Sequence, residues 1–205
     1  MLAFDIGANV GKWALSNRNT YDKIICVEAI QRTFNKLKKN TRECGNITCE
    51  NYAVCNSSSN TITFYDCDHD TLSTMNKEWL TDKSSRFYNQ SFKETRCDVI
   101  SIDKLIQCHG VPDIIKIDTE GGEYDCVCSL SYKVDTICFE WASETNDSVT
   151  YKCLEYLFKL GYINFYIQNG DEYTFRPEQY YGYDVCMKML SKTIQKKDWG
   201  MIWCT

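Results

Sequence analysis

The chain has 205 residues, a length that suits one domain with a substantial core. Its 43% hydrophobic and 25% charged residues are ordinary for a globular protein and argue against disorder. The formal net charge of -5 gives no general attraction to polyanions, so nucleic acid is not the expected partner.

No apolar run approaches the ~20 residues of a membrane span, and the N-terminus lacks the basic and apolar regions of a secretion signal. The 13 cysteines fall inside strand and helix patterns, and no CxxC pair occurs. Buried thiols in a reducing compartment explain them better than a zinc site does. The acidic stretch at 66–70 also reads as a solvated turn. We therefore predict a cytoplasmic protein without a bound metal.

The N-terminal part of the chain alternates between strand and helix patterns. Residues 2–6 and 23–28 are short apolar strands, with a helical stretch between them. Residues 30–40 place apolar side chains at helical spacing, and residues 47–54 read as a strand. This order predicts a doubly wound, mostly parallel sheet with helices on both faces.

The remaining sequence continues this pattern around a polar insertion at 66–94. Because loops of that length are uncommon unless they are functional, we interpret the insertion as part of the substrate side. No repeat or domain boundary is visible, so we predict one domain over residues 1–205. Further strands are predicted at 61–67, 95–103, 112–118, 135–141, 162–168, 172–176 and 183–189, and helices near 76–82, 122–130 and 148–160, the last ending at Gly161.

A glycine-jointed turn follows the first strand in the sequence FDIGANVG. Ligands of doubly wound sheets bind at the carboxyl ends of the strands, where this turn lies. A dinucleotide fingerprint would have a second glycine where Asn9 stands. Asp5 would repel a pyrophosphate but could accept from an ammonium group, while the amides of the next helix would meet a carboxylate. Taken alone, the turn is equally consistent with a tight bend that binds nothing.

Glu28 stands at the end of the second strand, where an acid can accept from both hydroxyls of a ribose. Together with the glycine-jointed turn, Glu28 predicts an adenosyl amino acid as ligand. S-adenosylmethionine is the cofactor that fits this description.

A second unusual passage, IIKIDTEGGEY at 114–124, places charged residues in a buried strand. Lys116 and Asp118 share one face of that strand, and burying them costs several kcal/mol unless they find partners. Asp118 falls at the ligand end. The structural alternative is that Lys116 pairs with Asp118 or Glu140, and that Glu123 caps a helix.

These passages, with VEA at 27–29, NYAV at 51–54, STM at 73–75 and FEW at 139–141, resemble the FkbM family of S-adenosylmethionine-dependent methyltransferases over nearly the whole chain. The resemblance implies a class I methyltransferase fold with a seven-stranded sheet, and O-methylation, often of sugars or secondary metabolites. The chain departs from the family by lacking a proline after Glu28 and a segment before the first strand. The substrate lid is therefore expected to be reduced, or supplied by 66–94 or by another subunit.

The resemblance also implies roles for particular residues. Asp118 is implied to lie beside the sulfonium and Ala53 near the adenine, while Glu28 binds the ribose with Ala29 beside it. The residues implied to hold the methionine end are Asp5, Gly7, Asn9 and Gly11.

A hydroxyl is a poor nucleophile unless its proton is leaving, so a base should stand near it. We hypothesise that Asp118 accepts the substrate proton or orients the hydroxyl, while Lys116 and Glu140 hold it in place. Ser73, Thr74 and Glu120 are predicted to contact the substrate, with capping of a short helix as the alternative for Ser73 and Thr74.

Three functions remain open at the level of sequence. The leading one is O-methylation of a sugar, glycan or small metabolite. An RNA methyltransferase of cap type is the second, and the acidic charge argues against it. A nucleotide-binding module without catalysis is the third, and the retained acids argue against it. Whether the chain forms a homo-oligomer is also open.

Overall fold

The computed structural model describes residues 1–69, 72–83, 85, 88–142, 148–194 and 198–205, so Asp70 of the acidic stretch at 66–70 lies outside the described residues. The strands are β1 (Leu2–Ile6), β2 (Lys23–Val27), β3 (Ile47–Glu50), β4 (Ala53–Val54), β5 (Thr61–Cys67), β6 (Phe92–Ile100), β7 (Ile114–Ile117), β8 (Thr136–Ala142), β9 (Asn164–Asn169), β10 (Tyr181–Gly182) and β11 (Trp199–Cys204). The helices are α1 (Lys12–Asn17), α2 (Gln31–Thr41), α3 (Lys77–Thr81), α4 (Ile102–His109), α5 (Glu123–Val127), α6 (Ser148–Leu160) and α7 (Tyr183–Ile194). None of the helices in the described ranges is long and apolar enough to cross a bilayer.

The larger sheet has the strand order β10-β9-β11-β8-β7-β1-β2-β3. Strand β1 pairs in parallel with both β2 and β7, while β10 and β11 run opposite to the other six described strands of this sheet. The predicted doubly wound, mostly parallel sheet is confirmed. The observed sheet exceeds the expected seven strands by β10, a two-residue strand at its edge. The strand order reverses beside β1, which places the ligand crevice at the carboxyl ends of β1 and β7.

Both faces of this sheet are covered, as parallel strands require. One face packs against helices α4 to α7 through buried residues that include Leu105, Cys126, Leu154 and Leu190. The opposite face packs against α1 and α2, and against a segment without regular structure that contributes Tyr173, Phe175 and Tyr180. The crevice therefore lies between α1 and this C-terminal segment.

Residues 47–54 were predicted as one strand, but they form two. Strand β3 extends the larger sheet, whereas β4 pairs with β6 in a three-stranded sheet of order β4-β6-β5. The insertion at 66–94 is also more regular than a loop, since it begins in β5, contains α3 near the predicted position, and ends in β6. Trp79 and Leu80 of α3 are buried with Cys67 in a small core of their own.

One predicted strand ends earlier than expected, and another is a helix instead. The predicted strand 95–103 ends at Ile100, because Ser101 caps α4 by accepting from the backbone N–H of Lys104 at 3.0 Å. The predicted strand 183–189 lies in α7, where Cys186 and Leu190 are buried at the i, i+4 spacing of a helix.

The C-terminal strand β11 was not predicted, and the predicted strand at 172–176 does not form. Strand β11 lies between β8 and β9 and pairs with the inner edge of β9, so residues 172–176 do not take that place in the sheet. Residues 172–176 instead cross the face of the sheet that α1 covers.

Candidate active site

The glycine-jointed turn is wedged between the two strands that flank β1. The backbone N–H groups of Gly7 and Ala8 both donate to the carbonyl of Val27 at 3.0 Å. Gly7 has a φ of 75°, and a Cβ atom at that position would overlap the main-chain oxygen of Asp118. Only glycine satisfies both the backbone angle and the approach of Asp118.

Asn9 and Gly11 also have positive φ values, of 49° and 89°. The backbone N–H of Asn9 donates to Glu28 Oε2 at 3.0 Å, which ties the turn to the end of β2. A Cβ atom at Gly11 would lie 2.8 Å from Leu37 Cδ1. Gly11 therefore lets α1 pack against α2, and this corrects the expectation that it contacts a ligand.

Glu28 is oriented by backbone donors on both sides. Its Oε2 accepts from Asn9 and its Oε1 accepts from the N–H of Ile30 at 2.9 Å. The side chain of Asn51 donates to the carbonyls of Glu28 and Ala29 at 2.8 and 3.0 Å. Asn51 thus fixes the turn that carries Glu28, a role that no local sequence pattern indicates.

The glycine-jointed turn and Glu28 open onto a cavity of about 290 Å³ at the carboxyl ends of β1, β2 and β7. The predicted site residues that line it are Gly7, Asn9, Glu28, Ala29, Ala53, Ser73, Lys116, Asp118 and Glu120. The predicted site residues that do not line it are Asp5, Gly11, Thr74 and Glu140. Lining residues that the sequence analysis missed include Lys12, Trp13, Tyr52, Phe64, Met75, Asp171 and Tyr173.

Lys116 lies under the cavity between two acids. Its Nζ is 3.1 Å from Asp118 Oδ2 and 3.5 Å from Asp5 Oδ1. Burial alone would lower the pKa of Lys116, but the carboxylates of Asp118 and Asp5 more than offset that effect, so the pKa is raised and the ammonium stays charged. Lys116 and Asp118 therefore form an ion pair, as the structural alternative for this strand proposed.

Asp5 is completely buried, and within the described residues neither carboxylate oxygen has a hydrogen-bond partner. Burial raises the pKa of Asp5, while Lys116 opposes that shift. Because Asp5 does not reach the cavity, it cannot accept directly from an ammonium group of a ligand. This corrects the role that the sequence analysis gave it.

Glu140 was hypothesised to hold the catalytic group in place together with Lys116, but among the described side chains it contacts neither Asp118 nor Lys116 through a hydrogen bond or an ion pair. Burial raises the pKa of Glu140 well above its ordinary value, and the carboxylates of Asp118, Glu120 and Glu123 raise it further. Because burial and the neighbouring carboxylates both favour its protonated form, Glu140 is a poor orienting partner for a cation.

Glu123 has a structural role, but it does not cap α5 as the alternative proposed, because its oxygens accept from the turn that precedes the helix. Its Oε1 accepts from the backbone N–H and the hydroxyl of Thr119, at 2.9 and 3.1 Å, and both oxygens accept from Gly121 N–H. These hydrogen bonds fix the conformation of the turn at 119–121, which places Glu120 at the cavity.

The insertion packs directly on this turn. A Cβ atom at Gly121, where φ is 92°, would lie 2.5 Å from Trp79 Cε3, and one at Gly122 would lie 3.0 Å from Met75 Cε. Met75 and Ser73 also line the cavity. The insertion thus covers one side of the cavity, and Gly121 in particular is required for the approach of Trp79.

Ser73 and Thr74 differ in their positions. Ser73 Oγ accepts from the N–H of Cys67 at 3.0 Å and lies at the cavity wall. Thr74 is fully buried, and its hydroxyl accepts from Asn76 N–H at 3.0 Å, so it does not contact a substrate as predicted. Neither residue caps α3, because the cap is Asn76, which accepts from the N–H of Glu78.

The C-terminal segment supplies the opposite wall of the cavity with Asp171 and Tyr173. The carbonyl of Tyr173 accepts from Asn17 Nδ2 at 2.9 Å, and Asn17 Oδ1 accepts from Arg176 at 2.9 Å. Phe175 stacks on Tyr166 with ring centroids 5.5 Å apart. Burial raises the pKa of Asp171 to about 6, an effect that Lys116 opposes and that Asp118 and Asp5 reinforce.

The chemistry of the cavity wall suits a nucleoside with a cationic end. Glu28 offers carboxylate oxygens to ribose hydroxyls, and Tyr52, Ala53 and Val54 offer apolar surface beside it. At the other end of the cavity the wall carries the carboxylates of Asp118, Glu120 and Asp171. No group of His, Cys, Asp and Glu among the described residues is arranged to hold a metal ion.

Solved methyltransferases share this architecture. The chain is similar to precorrin-6Y C5,15-methyltransferase from Geobacter metallireducens, with 11% identity, a TM-score of 0.52, and coverage of 100% of this chain and 79% of that one. Fibrillarin from Aeropyrum pernix, solved with natively bound S-adenosyl-L-methionine, also gives 11% identity and a TM-score of 0.52, over 100% of this chain and 65% of that one. No curated protein sequence matches the chain.

The chain thus has the class I, Rossmann-like fold of these methyltransferases, with a cavity at the strand tips. Residues 5–163 match the methyltransferase FkbM domain, and the chain therefore belongs to the FkbM methyltransferase family. The predicted family is confirmed, and S-adenosylmethionine as the cofactor is confirmed with it.

Proposed function

We propose that this methyltransferase transfers its methyl group to a hydroxyl of a sugar, glycan or small metabolite. The observation that carries the proposal is the position of Asp118, whose carboxylate lines the cavity while Lys116 holds one of its oxygens at 3.1 Å. Within the described residues the other oxygen, Oδ1, has no hydrogen-bond partner, which leaves it available to an acceptor hydroxyl.

Bound S-adenosylmethionine supplies an electrophilic methyl group on a positively charged sulfur. The protein then has to align the acceptor hydroxyl and remove its proton. We propose that Asp118 accepts this proton or orients the hydroxyl, that Lys116 fixes the carboxylate, and that Ser73 and Glu120 contact the acceptor at the cavity wall. We also propose that the methyltransferase domain spans residues 1–205. The free cysteines support a location in a reducing compartment, and we propose the cytoplasm.

The charge of the cavity wall favours a neutral acceptor over nucleic acid. Phosphate groups would be repelled there, because the wall carries more acids than bases. The acids are Glu28, Asp118, Glu120 and Asp171, and the bases are Lys12 and Lys116. An RNA acceptor is the competing function.

Asp118→Asn is expected to lower turnover by about 100-fold or more while the Kd for S-adenosylhomocysteine changes by less than about threefold, because the amide cannot accept the proton but keeps the shape of the side chain. Single-turnover methyl transfer and calorimetric titration measure the two quantities. The matched control is Asp98→Asn, an exposed aspartate outside the cavity. Undiminished turnover in Asp118→Asn would remove Asp118 from the mechanism.

The acceptor class is tested with labelled S-adenosylmethionine and a panel of sugars, nucleotide sugars, glycans, small hydroxylated metabolites and RNA. Methyl incorporation into a neutral hydroxyl compound supports the proposal. Incorporation into RNA, with activity lost as salt is raised, would support the competing function instead.

A further inference from the structure

The cavity lacks the ammonium-binding acid that the sequence places at Asp5, because Asp5 is completely buried beneath it. Asp171 is a different acid that does line the cavity, on the segment following β9. We propose that the Asp171 carboxylate binds the ammonium group of the methionine moiety of S-adenosylmethionine. This assignment rests on the proposed function and deepens it.

The location of Asp171 selects the methionine end of the cofactor. The charged groups that act on it are Lys116, Asp118 and Asp5, all at the carboxyl ends of β1 and β7. Glu28, the ribose-binding candidate, lies at the end of β2, on the opposite side of β1. A nucleoside held by Glu28 would therefore extend its amino-acid end toward Asp171.

Asp171 is available for a ligand. Within the described part of the chain its carboxylate makes no hydrogen bond and no ion pair, although an unpaired acid in a partly buried site is unfavourable. A ligand ammonium would supply the missing partner through charge-assisted hydrogen bonds, which contribute about 1.5–3 kcal/mol each.

The segment that carries Asp171 is anchored on both sides by hydrogen bonds to the rest of the chain. The N–H of Gly170 donates to the carbonyl of Trp199 at 2.8 Å, and Asn17 holds the carbonyl of Tyr173 at 2.9 Å. A carboxylate held in this way loses little conformational entropy when a ligand binds. Most of the free energy of its contact with the ammonium should therefore appear as binding affinity.

The test compares two ligands that share the adenosyl thioether and differ in the amino-acid end. Calorimetry is performed on the wild type, Asp171→Asn and Glu172→Gln with S-adenosylhomocysteine and with 5′-methylthioadenosine. We expect Asp171→Asn to bind S-adenosylhomocysteine about 10- to 100-fold more weakly and 5′-methylthioadenosine as the wild type does. Glu172→Gln, an exposed neighbour, should change neither affinity.

The pH dependence of binding provides a second readout. Because the pKa of Asp171 is about 6, wild-type affinity for S-adenosylhomocysteine should fall as the pH drops below 6 and this carboxylate is protonated. Lys116, Asp118, Asp5 and Tyr173 also face this region and are retained in the variant. A fall that is present in the wild type and absent in Asp171→Asn is therefore assigned to Asp171.

Three outcomes overturn the assignment. Asp171→Asn that binds S-adenosylhomocysteine like the wild type, with or without lost turnover, removes Asp171 from the ammonium site. Equal weakening of both ligands indicates a structural effect on the cavity. Wild-type protein that binds neither ligand contradicts the proposed function, and the assignment fails with it.

Discussion

Alanine at position 7 is expected to abolish cofactor binding and to destabilise the protein by several kcal/mol. The new Cβ atom would overlap the main-chain oxygen of Asp118, and the φ of 75° alone costs an L-residue about 1–2 kcal/mol. The backbone of Asp118 cannot withdraw without breaking its hydrogen bond to Ile6 at 3.0 Å, which joins β1 to the end of β7.

The matched control for Gly7→Ala is Gly45→Ala, where the added Cβ atom meets nothing within 4 Å. Thermal unfolding and calorimetry with S-adenosylhomocysteine are measured on both variants. Native-like melting and affinity in Gly7→Ala would show that the glycine-jointed turn is not held as described.

Lys116→Met is expected to destabilise the protein by about 3–5 kcal/mol, because it leaves Asp5 buried and without its compensating charge. Chemical denaturation measures the loss. Burial already raises the pKa of Asp5 above its unfolded value, and without Lys116 that pKa rises further. The penalty on the folded state grows as the pH rises from the unfolded pKa to the raised pKa, and it is constant above the raised pKa. The loss should therefore shrink as the pH is lowered and Asp5 takes up a proton.

The double variant Asp5→Asn/Lys116→Met should recover part of this stability, since it removes both charges together. Lys188→Met, at an exposed position of α7, is the control and should change stability by less than about 0.5 kcal/mol. A double variant that is less stable than Lys116→Met would mean that Asp5 is stabilised by something other than Lys116.

The residues at the strand tips could be predicted from the sequence, because parallel strands bring their carboxyl ends to the same edge of the sheet. Gly7, Glu28, Lys116 and Asp118 each follow or end an apolar strand, and β2, β1 and β7 are consecutive neighbours in the sheet. Their meeting at one cavity follows from local pattern and the doubly wound topology.

Contacts that depend on the path of distant segments could not be predicted. Residues 172–176 alternate as a strand does, yet β11 pairs with β9, and the segment that carries Asp171 crosses to the cavity instead. The failure at Asp5 has a local cause. Its side chain points into the face that α1 covers, so adjacency to the glycine-jointed turn did not imply access to a ligand.

The direct test of the central claim is calorimetric titration of the wild-type chain with S-adenosylhomocysteine and, in parallel, with NAD. The carboxylates of Glu28, Asp118 and Asp171 around the cavity predict one bound S-adenosylhomocysteine per chain and no heat from NAD, whose pyrophosphate they repel. Binding of NAD without binding of S-adenosylhomocysteine would contradict the account.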